Sequence, residues 1–173
     1  MNKRTNAITM KGKGLTLLGD ELKVGDKAPD FQVTANDLSP VNFSKYQGSV
    51  CILVAVPSLD TPVCDREAKR FNDEALNLGE DVRILIISAD LPFAQTRWCG
   101  ANGIDRIETL SDFKDNDFGT KYGVLMEEVM LLARAIFIVD KNGTVQYVQI
   151  VKEVTDEPDY DSVLKAAREL VNT

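Results

Sequence analysis

Residues 50–88 read VCILVAVPSLDTPVCDREAKRFNDEALNLGEDVRILIIS. The run Val50 to Val56 is apolar and rich in β-branched residues without a polar interruption, the pattern of a strand covered on both faces. Pro57 stops it. Val82 to Ser88 is a second such run, and between the two Phe71, Ala75 and Leu78 recur at helical spacing behind Cys64 and Ala68. A strand, a helix and a strand joined by a right-handed crossover place the two strands parallel and side by side.

Working outward, Ala135–Val139 and Val145–Ile150 form two further strands joined by Asp140-Lys141-Asn142-Gly143, a short connection that predicts an antiparallel hairpin. Tyr160, Val163, Leu164, Ala167 and Leu170 lie on one face of a closing helix, with Asp161 near its start and Arg168 near its end in favourable dipole positions. Pro92 to Trp98 predicts a short helix, and Asp117 to Gly123 a turn or brief helix. Upstream, Ala7–Met10 and Leu15–Leu18 flank Lys11-Gly12-Lys13-Gly14 as an N-terminal hairpin over about 7–18, expected to make modest core contact. Gln32-Val33-Thr34 is a short strand among surface turns. Parallel and antiparallel strands flanked by helices predict a three-layer α/β fold on a mixed central sheet. The chain of 173 residues, without repeats or a break in composition, is expected to be a single domain over 1–173.

Composition narrows the chemistry. Twenty basic residues stand against 27 acidic ones, a formal charge of -7, with a pI near 4.7. No basic stripe is present to neutralise phosphates, so no nucleic-acid partner is expected. The chain has no histidine. That excludes Ser-His-Asp and Cys-His catalysis, His-based metal sites and an imidazole general base. The N-terminus lacks the apolar core of a secretory signal, and the longest apolar run, Val50 to Pro57, is far below the roughly 20 residues that cross a bilayer. No membrane association is expected. Three cysteines are too few for a secreted disulfide framework, so a reducing cytoplasm is the expected compartment.

The chemistry therefore rests on thiols. In Pro57-Ser58-Leu59-Asp60-Thr61-Pro62-Val63-Cys64, Thr61 reads as a helix N-cap, Pro62 as the first helical residue and Cys64 as the third. Free amides and the positive end of the helix favour an anionic sulfur there. Cys64 is thus either an activated nucleophile or a small hydrophobe packed under the helix. No Cys-x-x-Cys motif exists, so a partner thiol must be distant. Cys99, in Arg97-Trp98-Cys99-Gly100, lies 35 residues further on, at an expected helix end that Gly100 terminates. It is either that partner or a lone half-buried thiol. A disulfide closing such a loop would remove roughly 3–4 kcal/mol of unfolded-chain entropy, but joining two helix-borne sulfurs requires a helix end to unravel. Cys51, in the densest strand, reads as an inert core residue.

Taken with Arg134 in Leu131-Leu132-Ala133-Arg134-Ala135-Ile136-Phe137-Ile138-Val139-Asp140, these residues closely resemble thiol peroxidase, the atypical two-cysteine peroxiredoxin family with a thioredoxin-like fold. The resemblance covers nearly the whole chain. It implies that Cys64 is the peroxidatic cysteine and Cys99 the resolving cysteine of the same chain, with Pro57, Thr61 and Arg134 completing the peroxide pocket. In isolation Arg134 reads equally as a surface charge, Thr61 as only a cap and Pro57 as only a strand end. The implied activity is reduction of hydrogen peroxide and alkyl hydroperoxides through a Cys64 sulfenic acid and a Cys64–Cys99 disulfide. The resemblance further implies recycling by thioredoxin, a homodimer, and no metal or cofactor. A redox-sensing module that binds a partner protein through the same disulfide switch is the competing expectation.

Overall fold

The computed structural model describes residues 1–172. In chain order the strands are β1 (Lys3–Met10), β2 (Lys13–Leu18), β3 (Gln32–Thr34), β4 (Pro40–Asn42), β5 (Val50–Ala55), β6 (Val82–Ser88), β7 (Glu108–Ser111), β8 (Leu125–Met126), β9 (Leu131–Leu132), β10 (Ala135–Val139) and β11 (Val145–Ile150). The helices are α1 (Pro62–Leu78), α2 (Pro92–Asn102), α3 (Asp117–Lys121) and α4 (Tyr160–Val171).

The central sheet has the order β11-β10-β5-β6-β7-β3-β4. The pairs β5–β6 and β6–β7 are parallel, whereas β10 lies antiparallel to both β5 and β11, so the sheet is mixed as expected. Alternation along β5 divides the core. Cys51, Leu53 and Ala55 face one side, and Val50, Ile52 and Val54 the other. All six β5 residues are buried. At about 1.5–3 kcal/mol for each large aliphatic side chain taken from water, this strand and β10, also buried throughout, are the most strongly determined part of the sheet.

The second face is covered by α1 through Cys64, Ala68 and Phe71, by α4 through Val163, Leu164 and Ala167, and by Trp98 of α2. The opposite face carries no long helix. A small sheet of order β1-β2-β8-β9 covers it, together with α3 and an aromatic cluster of Phe31, Phe118, Tyr122 and Phe137. The hairpin is therefore no peripheral flap. Ile8, Leu15 and Leu17 are almost fully buried, which corrects the expected modest core contact. The reason is that β2 pairs antiparallel with β8, so the hairpin belongs to the small sheet whose apolar face packs into one core with Leu53, Ala55 and Phe137 of the central sheet. At the junction a Cβ on Gly19, whose φ is +98°, would sit 2.0 Å from the Thr120 carbonyl oxygen, so the chain can pass there only as glycine.

Helix α2 also departs from expectation. Gly100 lies inside it, and the helix ends at Gly103, which adopts a left-handed φ of 64° and donates its N–H to the Cys99 carbonyl. Cys99 thus stands one turn before the helix end. Among the described residues, no helix is long and apolar enough to cross a membrane.

Candidate active site

The chain leaves β5 at Ala55, passes the buried Pro57 and enters α1. Thr61 is the N-cap, and its Oγ1 accepts the Cys64 N–H at 3.3 Å while donating to the Ser58 carbonyl at 3.0 Å. Pro62 follows as the first helical residue, and Cys64 occupies the third position with no solvent exposure. The local sequence dictates this entry, because threonine caps, proline needs no amide partner there, and Cys64, Ala68 and Phe71 form the buried stripe.

Arg134 stands immediately before β10, the strand paired with β5. It is 2% exposed. Its Nε donates to the Val154 carbonyl at 2.9 Å, while Nη1 donates both to Cys64 Sγ at 3.2 Å and to Glu67 Oε2 at 2.6 Å. Burial alone would pull the guanidinium down, but the charges and hydrogen bonds of Cys64 and Glu67 hold it above its ordinary value. A permanent cation thus sits against the sulfur, aimed by a main-chain oxygen on its other edge.

Glu67 is the residue that sequence reasoning missed. It lies one helical turn after Cys64, fully buried beside Arg134, with Oε1 lacking a protein hydrogen-bond partner. Burial pushes its carboxyl up to about 7, against the opposing pull of Arg134. Two acidic groups therefore share one buried cation. The signal was a charged side chain placed between Cys64, Ala68 and Phe71 on the apolar stripe of α1.

Thr61, Cys64 and Arg134 thus meet at the start of α1, with the buried Pro57 in the segment that leads into it. Cys99 is on α2, half-buried, with Sγ 3.4 Å from Thr109 Oγ1, and all three cysteines are free thiols. The two cysteine-bearing helices touch through their neighbours, since the Trp98 indole N–H donates to Asp65 Oδ1 at 2.9 Å. Cys51 is 1% exposed on the other face of β5, and burial pushes its thiol up to about 12.

Comparison with known proteins agrees with this geometry. A sequence model of the Redoxin family matches residues 23–164. The chain is 57% identical over 157 residues to the thiol peroxidase of Oceanobacillus iheyensis, covering 91% of this chain and 95% of that one. It is 52% identical over 164 residues to the thiol peroxidase of Bacillus subtilis, covering 95% and 98%. The crystal structure of a peroxiredoxin-like protein from Aquifex aeolicus superposes with a TM-score of 0.89 at 45% identity, over 96% of this chain and 97% of that one. With a mixed thioredoxin-like sheet, a capped cysteine at a helix start and matches of this extent, the chain belongs to the Redoxin family as a thiol peroxidase of the atypical two-cysteine peroxiredoxin type.

Proposed function

We propose that the protein, acting as a single domain, reduces hydrogen peroxide and small alkyl hydroperoxides with Cys64 as the attacking sulfur. The observation that carries this reading is the 3.2 Å hydrogen bond from Arg134 Nη1 to Cys64 Sγ at the Thr61-capped start of α1. The guanidinium donates directly to the sulfur and the positive end of the helix lies beside it, so a cationic partner is in place without a histidine. The sulfur forms a bond to the terminal peroxide oxygen as the O–O bond breaks. The other oxygen leaves with the bonding pair, gains a proton and becomes water or an alcohol, and Cys64 becomes a sulfenic acid. Negative charge spreads onto the leaving oxygen, where Arg134 and the amides of the first helical turn can receive it. Pro57 closes the pocket against water, and Thr61 holds the turn through the Cys64 N–H.

The Cys99 thiol then attacks the sulfenic sulfur, forming the Cys64–Cys99 disulfide and releasing water. Because Cys64 is wholly buried and Cys99 is helical, this step requires local unravelling of helix ends. A dithiol such as thioredoxin returns both cysteines to thiols while becoming a disulfide itself, and the cytoplasm is the compartment that supplies it. A homodimer is supported by Leu91 and Phe93 at the start of α2 and Phe113 just after β7, exposed apolar side chains on segments joined by the Ser111 hydroxyl to the Asp90 carbonyl. Replacing Phe93 with Asp should shift the sedimentation coefficient to that of a monomer.

Intact-mass analysis and peptide mapping after one equivalent of peroxide test the reading. The expected result is loss of two hydrogens, a Cys64–Cys99 linkage and a free Cys51. A disulfide through Cys51, an intermolecular Cys64 bond, or failure to turn over any peroxide with thioredoxin and its reductase overturns it.

A further inference from the structure

The loop that leads into α1 is tied to the segment before α2 by one carboxylate that the reaction above does not use. Asp90 lies between the end of β6 and the start of α2. Its Oδ1 accepts from the Ser58 hydroxyl at 2.7 Å, and its Oδ2 accepts from the Leu59 N–H at 2.8 Å and from the Ser88 hydroxyl at 2.8 Å. Three donors on one carboxylate make a strong anchor, because hydrogen bonds to an ionised acceptor are the stronger class. From Ser58 the chain of bonds continues into the site. The Ser58 carbonyl accepts from the Thr61 hydroxyl, and Thr61 Oγ1 accepts the Cys64 N–H. From Ser88 it runs the other way, since Ser88 Oγ accepts at 3.0 Å from Nε2 of the buried Gln95 in α2. The Ser111 hydroxyl also donates to the Asp90 carbonyl, closing the same corner from β7.

We propose that Asp90 is a positioning residue for the peroxide step, holding the Ser58–Thr61 loop in the geometry that presents Cys64. This rests on the assignment of Cys64 and Cys99 made above. The reason it must come from a distant residue is local. The Leu59 N–H is almost buried, at 2% exposure for its residue, and the acceptor it finds is the Asp90 carboxylate. Without that acceptor the N–H would have to turn outward to reach water, carrying the loop away from the helix start. A displacement of about 1 Å at a reacting group costs on the order of a hundredfold in rate. By contrast, α2 keeps its own attachments when Asp90 is shortened, through Gln95 Nε2 to the Leu110 carbonyl at 2.9 Å and through Trp98 to Asp65. Asp90 therefore acts on the step before the disulfide and leaves the disulfide step alone.

The two steps separate in rapid-quench mass spectrometry with hydrogen peroxide. Sulfenic acid formation is read on a Cys99→Ser background, where the reaction stops at Cys64, and disulfide formation is read in the chain that retains Cys99. Asp90→Ala is expected to slow sulfenic acid formation 10- to 100-fold and to leave the first-order rate constant of disulfide formation, read at peroxide concentrations high enough for that step to limit, within threefold of the parent. Asp90→Asn should recover the first step to within about fivefold, since its amide oxygen can accept from Leu59 and Ser88 while its NH2 donates to Ser58 Oγ. Ser58→Ala, which removes one of the three bonds to the carboxylate together with the acceptor of the Asp60 N–H, should slow the same step by about three- to fivefold and serves if Asp90→Ala does not fold. A general loss of structure slows both steps and is not rescued by Asn. Equal slowing of both steps, or a parent-like first step in Asp90→Ala and Ser58→Ala, overturns the proposal. Cys64→Ser in the same assay tests the underlying assignment separately, because peroxide consumption that survives it removes Cys64 and not Asp90 alone.

Discussion

Glu67→Gln separates the two forces acting on the carboxylate beside Cys64. Burial raises its carboxyl from an ordinary 4.5 to about 7, while the Arg134 cation at 2.6 Å works in the opposite sense. Burial prevails because Oε1 has no protein partner and because the same Nη1 also serves Cys64. A folded-state value above the unfolded one makes the contribution to stability largest below about pH 4.5, where the carboxyl is protonated in both states. That contribution is lost as the pH rises through 7. The gap of 2.5 pH units, 7 less 4.5, corresponds to roughly 3 kcal/mol at 1.36 kcal/mol per unit. Glutamine cannot ionise and escapes this decline. Relative to the parent, Glu67→Gln should therefore gain roughly 3 kcal/mol between pH 4.5 and pH 8, or about 6–12 °C in Tm for a chain of this size. The measurement is thermal unfolding by circular dichroism, on both proteins fully reduced, at half-unit steps across that range. Asp112, which burial pushes up to about 6, adds a decline of the same sign to both proteins and cancels in the difference. Peroxide reactivity should stay within tenfold, since the glutamine carbonyl can still accept from Arg134. A Tm difference that is flat with pH, or one in which the parent gains on the variant as pH rises, would show that the ion pair outweighs burial and refute the reasoning.

Thr61→Val removes the acceptor for the Cys64 N–H. It should cost about 1 kcal/mol of stability and at least tenfold in the peroxide step, whereas Thr61→Ser keeps both; identical behaviour of the two variants by Tm and stopped-flow would count against the cap. Because burial pushes Cys51 up to about 12, iodoacetamide at pH 8 should label Cys99 in the native protein and spare Cys51, and a labelled Cys51 peptide contradicts this. Cys51→Ala should leave the peroxide rate unchanged. Gly19→Ala should lower stability by roughly 2–4 kcal/mol, because the added Cβ meets the Thr120 carbonyl at 2.0 Å in a left-handed backbone, and an unchanged Tm would rule that contact out.

Much of the frame was legible along the chain. β5, α1, β6, β10, β11 and α4 are long enough for hydrophobic periodicity to register, and the Thr61-Pro62 start of α1 is written in cap chemistry. The missed strands are the short ones. β8 and β9 have two residues each and β4 three, too few for any period, and β7 is four residues long and gains its place from pairing with β6. Gly100 does not stop α2, because glycine ends a helix only where the chain turns to positive φ, and here that turn is made at Gly103.

The site divides along the same line. By itself the sequence determined that Cys64 sits in the first turn of a helix capped by Thr61, since capping depends on neighbours within four residues. It also determined that no histidine could assist. Only the tertiary structure decided that Arg134, 70 residues away, meets Cys64 Sγ, that Glu67 shares the same guanidinium, and that Asp90 accepts from the Leu59 N–H in the loop leading into α1. Those contacts depend on which strand lies beside which, and a buried charge reveals its partner only once the sheet has brought the two together.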